Sequence, residues 1–420
     1  MANNEEIFEE WNSYAKRQAL KERAINLEDL EKNSKLKIIS ITGVRRAGKS
    51  SILMLLLQKL SGKGKKTAYI NLEDSRIKND GDILNSILKW FGGSGYLLLD
   101  EITSVNDWEG WLARNHEMLK GRLNLIVSSS RSSLILPPKS LRGRMLPYEL
   151  FPLSFDEFLK FKGAKVEKTI IGMGMIEKAL QEYLIFGGYP EIALTSDKTS
   201  KVQLLDTYFK DIVGLDIAEI SGEEISIVDA FARCIIESTH FSASKCLNFF
   251  KSMGYKIGKQ SILNLEKYAQ LSYLFFFVPI FSNKIKDRLQ YTRKVFLGDT
   301  GFIYALSGKT DMGKLFENAV FLELKRRKKI TQEINYWKNK DGIECDFIIR
   351  EGFRINQAIQ VVFEIKDEKS RQREVNGIIN CAKEFNLKEG LIITKDYESR
   401  EMLDGIKIKF VPLWKWLLLK

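Results

Sequence analysis

The sequence is poor in the side chains that build metal and disulfide frameworks. Its 420 residues hold four cysteines and two histidines. Cys234, Cys246, Cys345 and Cys381 are scattered without metal-ligand spacing, so neither a zinc site nor a disulfide scaffold is expected. No apolar run reaches the ~18 residues of a membrane span. The nearest, residues 271–281, is shorter and reads as a buried strand. Glu5, Glu6, Glu9 and Glu10 stand where a secretory signal needs basic residues, so no signal peptide and a reducing, cytoplasmic compartment are expected. Hydrophobic residues make up 44% of the chain, enough for packed cores, and the net charge is +12. The length suits about two to four domains. The charge permits a polyanionic partner without requiring one.

Gly43-Val44-Arg45-Arg46-Ala47-Gly48-Lys49-Ser50 fits G-x-x-x-x-G-K-[ST], the P-loop. Residues 36–41 before it form a β-branched apolar run that reads as a buried strand, and residues 51–57 after it read as a buried helix. Strand, glycine loop and helix in this order aim backbone N–H groups, through Ser51, at nucleotide phosphates. Lys49 is expected between the β- and γ-phosphates and the Ser50 hydroxyl on Mg²⁺. The alternative, a chance glycine turn, fits the flanks poorly.

Residues 67–72, 95–102 and 123–128 read as further strands and residues 82–91 as a helix, an alternation that indicates a parallel α/β sheet. Leu97-Leu98-Leu99-Asp100-Glu101 reads as a Walker B strand. Asp100 is expected on the Mg²⁺ shell and Glu101 on an attacking water. Ser128, at the end of the next strand, is expected as a γ-phosphate sensor, although serines also end strands routinely. Arg144 follows a loop with Pro137 and Pro138 and is expected to neutralise charge during phosphoryl transfer, in cis or across a subunit contact. Asp107–Gly110 fits D-x-x-G by chance, since residues 339–342 miss N-K-x-D at the last position.

Ser154 and Glu157 form a capping box at a helix start. Helical patterns at 177–186 and 203–220, with a turn at 187–190, read as a small lid. Helices at 225–237, 242–253 and 259–269, then strands at 274–281 and 291–297 around a polar loop, read as a winged helix. Ser261, Asn264, Lys267, Lys284, Lys286, Arg288, Arg293 and Lys294 would then face phosphates, or the module would be a protein-contact spacer. Residues 282–340 hold fourteen Lys and Arg against six Asp and Glu, two-thirds of the net excess in one-seventh of the chain. The remainder reads as helix 314–327, strands 334–337, 344–350 and 358–365, helix 371–385, and strands 390–394 and 406–412. In restriction-endonuclease-like folds a helix Glu, a strand Asp and a following E-x-K meet on Mg²⁺. Glu317 and Asp346 fit. Gln360 stands at the third position, able to ligate through its amide oxygen, with Val362 in place of the lysine. Glu364-Ile365-Lys366 fits E-x-K four residues too late. The site is therefore expected to be degenerate.

Taken together, residues 41–50, Leu99-Asp100-Glu101, Leu141-Arg142-Gly143-Arg144, residues 152–158, Gly187-Gly188-Tyr189-Pro190, Lys294-Val295-Phe296 with Asp299, Glu317-Asn318, Tyr336-Trp337, Glu344-Cys345-Asp346-Phe347 and Ile359-Gln360-Val361 resemble the archaeal ATPases of the AAA+ class. Ser128-Ser129-Ser130 departs from that family's usual Thr-Gly-Ser but keeps the hydroxyl. The resemblance implies ATP rather than GTP and four parts: an ATPase core at 1–152, a helical lid at 153–222, a winged helix at 223–300 and a restriction-endonuclease-like domain at 301–420. The expectation is an ATP- and Mg²⁺-dependent ATPase, free of membranes, open to homo-oligomerisation, and acting on or with DNA. The alternatives are a nucleotide-dependent signalling scaffold with a protein partner and an ATP-gated nuclease.

Overall fold

The run at residues 36–41 becomes β1 (Ile38–Gly43), buried along its whole length. Such a strand has apolar contacts on both faces, which a parallel sheet between helices supplies. The computed structural model describes residues 4–130, 134, 137–164, 169–282, 291–364 and 367–419. They form two compact units, Met1–Phe151 and Pro152–Lys420.

In the first unit, α1 (Asn4–Arg17) and α2 (Leu27–Ser34) precede β1. Then come α3 (Lys49–Gly62), β2 (Thr67–Asn71), α4 (Ile83–Phe91), β3 (Gly95–Asp100), α5 (Trp108–Met118), β4 (Leu123–Ser128) and β5 (Met145–Leu150). The sheet order is β2-β3-β4-β1-β5, with every pair parallel. This is the doubly flanked sheet of a P-loop NTPase. Ile7 and Phe8 of α1 join Leu97, Leu99, Leu125 and Val127 in its core. β5 is absent from the sequence reading because Pro147 and alternate polar residues break the pattern. Pro147 has no N–H for a ladder and is tolerated because β5 is the outer strand.

The second unit opens with α6 (Phe155–Lys162), whose capping box forms as expected: Glu157 N–H donates to Ser154 Oγ and Ser154 N–H to Glu157 Oε2. It continues through α7 (Ile170–Phe186), α8 (Pro190–Leu194) and α9 (Lys198–Asp211), a π-helical turn (Ile212–Ala218) and α10 (Glu219–Ser221). Next come α11 (Ile225–Glu237), β6 (His240–Phe241), α12 (Ala243–Ser252), α13 (Lys259–Leu271), β7 (Phe275–Val278) and β8 (Arg293–Leu297). β6 joins the expected two-strand ribbon, and the antiparallel sheet order is β6-β8-β7. After α14 (Gly301–Ser307) and α15 (Met312–Arg327) lie β9 (Gln332–Lys338), β10 (Glu344–Glu351), β11 (Arg354–Val362), α16 (Glu368–Glu384), β12 (Glu389–Thr394), β13 (Ser399–Leu403), β14 (Ile406–Pro412) and α17 (Leu413–Leu418). Their mixed sheet runs β13-β14-β12-β11-β10-β9. Val375, Ile378 and Ala382 of α16 pack with Ile348, Ala358, Ile392 and Ile408 of its strands.

Candidate functional site

The P-loop strand β1 and the Walker B strand β3 are not neighbours. β4 lies between them, and this places Ser128, its last residue, between the loop and Asp100. Gly43 leaves β1 at φ 140°, where a Cβ would stand 2.0 Å from the Leu150 carbonyl oxygen. Only glycine fits there. Lys49 opens α3 and is buried, its Nζ donating to the Gly43 and Val44 carbonyls at 3.0 and 3.1 Å. Arg23 braces the loop from behind, donating to the carbonyls of Ala47 at 2.6 Å and Phe151 at 2.9 Å. Nothing in the local sequence around Arg23 signals that role.

Asp100 is fully buried. The Tyr69 hydroxyl donates to its Oδ2 at 2.7 Å and Ser128 Oγ donates to its Oδ1. Burial and the Glu101 charge push this carboxyl up, and the Ser128, Ser50 and Tyr69 hydroxyls oppose them. The two groups expected on Mg²⁺ are Ser50, at the start of α3, and Asp100, at the end of β3. A hydroxyl and a carboxylate are oxygen donors of the kind a hard cation takes, so the residues fit the metal. Glu101 sits in the left-handed region at φ 50°. Its N–H donates to Ser128 Oγ at 3.2 Å, and its carboxylate accepts from Ser130 N–H at 3.1 Å. Glu73 adds a third acid at this edge. Burial and then Glu101 push its carboxyl up, against Arg45 of the loop. Tyr69 and Glu73 were missed in sequence. Tyr69 was the more findable, as a hydroxyl inside an apolar strand beside Walker B.

Arg144 does not join this cluster within its unit. Its carbonyl accepts from Ile38 N–H, at the amino end of β1, whereas the loop follows the carboxyl end. The strand between is roughly 16–20 Å long at ~3.3 Å per residue. The Arg144 guanidinium donates to the Ser140 carbonyl at 3.0 Å and lies 3.5 Å from Glu117.

In the second unit Glu317 of α15 and Asp346 of β10 do meet, but on a lysine. Lys294 of β8 is buried, with Nζ at 2.9 Å from Glu317, 2.8 Å from Glu344 and 2.7 Å from Asp346. Burial works against its charge, yet the three carboxylates outweigh it and hold the ammonium well above the ordinary lysine range. Burial pushes Glu317 up to about 7, with Lys294 opposing. Gln360 turns its amide oxygen to Asp346 N–H at 3.0 Å and its amide N–H to Glu374 at 2.6 Å. That oxygen is engaged by backbone rather than aimed at a cation. β11 ends at Val362, so Glu364 lies past the strand, and Ile365 and Lys366 lie outside the described residues. Among the described residues no group of three or more His, Cys, Asp or Glu is arranged to hold a metal ion.

The expected phosphate-facing set is also altered. Lys294 is consumed as above, and Arg293 is paired with Glu266. Asn264 and Lys267 are exposed on α13 and Ser261 is half-buried. Lys284, Lys286 and Arg288 lie outside the described residues.

Residues 35–159 match the AAA domain family. Residues 177–313 and 312–416 match two domains of unknown function, DUF8612 and DUF4143. "Uncharacterized protein MJ1544" of Methanocaldococcus jannaschii is 34% identical over 421 residues, spanning 95% of this chain and 92% of the relative. The chain belongs to that protein's family. A Haemophilus influenzae member is 28% identical over 403 residues, 89% of this chain and 93% of its own. Among solved structures, a STAND protein with a tetratricopeptide repeat sensor from Pyrococcus horikoshii is 12% identical, covers 75% of this chain and 47% of its own, and has a TM-score of 0.32. AMPPCP-bound DnaA from Aquifex aeolicus is 12% identical over 58% of this chain and 86% of its own, with a TM-score of 0.28. The AAA match contains the P-loop, β3 and Ser128. This family member therefore carries a nucleotide-binding domain of the P-loop ATPase class.

Proposed function

We propose that the protein is a Mg²⁺-dependent ATPase whose turnover is coupled to a partner bound by the second unit. The observation that supports it best is the buried Asp100 carboxylate, held by the Tyr69 and Ser128 hydroxyls beside Glu101, on the strand next to the one that ends in Ser128. Backbone N–H groups from residues 43–51 and Lys49 bind the phosphates. Ser50 and Asp100 would hold the metal, which supplies charge neutralisation at the β- and γ-phosphates. Tyr69 and Ser128 fix the Asp100 carboxylate for that task. Glu101 takes the proton of the attacking water, and Ser128 reports on the γ-phosphate. Arg144 acts across a subunit contact, because its own loop is a strand length away.

The partner is DNA if the +12 net charge is the guide. A protein partner is the second reading, and one observation favours it. Within the basic stretch Arg293, Lys294 and Arg327 are spent on carboxylates, and Arg326 donates to the Pro152 and Leu153 carbonyls. The decisive assay is ATP hydrolysis by wild type, Lys49→Ala and Glu101→Gln, with and without double-stranded DNA. Lys49→Ala is expected to lose binding and turnover, and Glu101→Gln to bind ATP without hydrolysing it. Normal turnover in Glu101→Gln removes Glu101 as the base. Salt-sensitive stimulation by DNA selects the first partner, and indifference to DNA selects a protein.

A further inference from the structure

Lys294 satisfies a need usually met by a metal. An ammonium has three N–H donors; here two go to Glu317 on α15 and Asp346 on β10, and Glu344 on β10 completes the set as an ion pair at 2.8 Å. The cage is held from outside. Asp346 Oδ2 accepts Val361 N–H at 2.9 Å, and Asp346 N–H donates to Gln360 at 3.0 Å. The carrier strand is held too, since the Asn318 side chain, next to Glu317, accepts Leu297 N–H at 2.7 Å and donates to the Leu297 carbonyl at 3.0 Å. Glu344 also lines a groove of about 640 Å³ with His240, Tyr336 and Lys338.

A divalent cation takes carboxylate oxygens at ~2.0–2.6 Å, and here the ammonium keeps them at 2.7–2.9 Å. The two arrangements differ by well under the length of a side-chain bond. The residues as they stand do not fit the Mg²⁺ of a restriction-endonuclease-like site, because a cation of the chain itself already stands there.

We propose that Lys294 is a tethered cation holding the place of a divalent metal in a three-carboxylate cage, and that neutralising it turns the cage into a metal site. The native second unit then handles its partner without metal-dependent strand cleavage. The inference is independent of the ATPase reading.

The test uses the full chain without nucleotide and counts bound Mn²⁺ by the loss of free-ion signal in electron paramagnetic resonance. Wild type and Asp346→Asn are expected to bind the same amount. Lys294→Met keeps the aliphatic stem and removes the charge. It is expected to bind additional Mn²⁺, to melt higher with Mn²⁺ than without, and to lose both gains when Asp346→Asn is added. The P-loop site is constant across these variants. Should Lys294→Met be recovered folded only with Mn²⁺ present, that also supports the proposal. A folded Lys294→Met that binds no more Mn²⁺ than wild type overturns it. So does wild-type binding that falls in Asp346→Asn, because the cage would then take metal with the lysine in place. If Lys294→Met does not fold at all, Lys294→Gln is measured by the same two criteria.

Discussion

Asp100 shows how much one buried carboxylate depends on its neighbours. Alone in a fully buried site it would favour the neutral form, and a neutral acid is a poor ligand for a cation. Hydroxyls from Ser128, Ser50 and Tyr69 oppose that penalty, which with the Glu101 charge still leaves the carboxyl raised. Hydrogen bonds to a charged group are worth about 1.5–3 kcal/mol each. Removing the phenolic hydroxyl in Tyr69→Phe leaves one carboxylate oxygen without its 2.7 Å donor and keeps the ring. The expected result is a fall in kcat of roughly tenfold or more, with nucleotide affinity nearly kept, read by steady-state hydrolysis and a separate binding titration. An unchanged kcat would mean that Ser50 and Ser128 suffice.

At the scale of elements, polar side chains tie neighbouring segments together. α1 is fastened to the loop after β2: Trp11 Nε1 donates to Asp74 at 2.9 Å, and Arg76 bridges Asp74 at 2.7 Å and Glu10 at 2.8 Å. The Arg76 guanidinium, opposed by partial burial, holds the Asp74 carboxyl at about 2. A carboxyl depressed below its unfolded value of 3.8 contributes stability above that pH and loses it as pH falls through about 2. Asp74→Asn should therefore melt below wild type at neutral pH, and the gap should close between about pH 4 and pH 2. A gap that persists at pH 2 would point to packing instead. In the second unit, Asp299 accepts the N–H groups of Gly188 and Gly301 at 2.7 and 2.8 Å. A Cβ on Gly187 would lie 1.6 Å from the same carboxylate and one on Gly188 2.5 Å from the Leu153 carbonyl oxygen, which accounts for the double glycine before Tyr189-Pro190.

For the whole molecule, Arg144 raises the question of assembly. It stands at the amino end of β1, a strand length from the loop of its own chain, and the proposed role in turnover would therefore be played across a second chain. Wild-type specific activity is expected to rise with protein concentration, and that of Arg144→Ala to stay flat. Loss of activity in Arg144→Ala at dilutions where sedimentation shows only monomer would contradict this geometry. Among the described residues no helix is long and apolar enough to cross a membrane.

Local pattern alone determined the P-loop, Walker B, the capping box at Ser154 and most strands. Those features depend on short-range spacing: a glycine loop between strand and helix, or a β-branched run buried on both faces. Polar or short elements stayed illegible, because β5, β13 and α17 owe their existence to a neighbour rather than to their own periodicity. Charge partners were the hardest to read. Lys294 looks like a phosphate-facing surface cation in sequence, Glu317, Asp346 and Gln360 look like metal ligands, and Glu344 gives no signal. Only the docking of β8 against α15 and β10 joins the lysine to the acids, since an ion pair is set by distance in space and a sequence carries only distance along the chain.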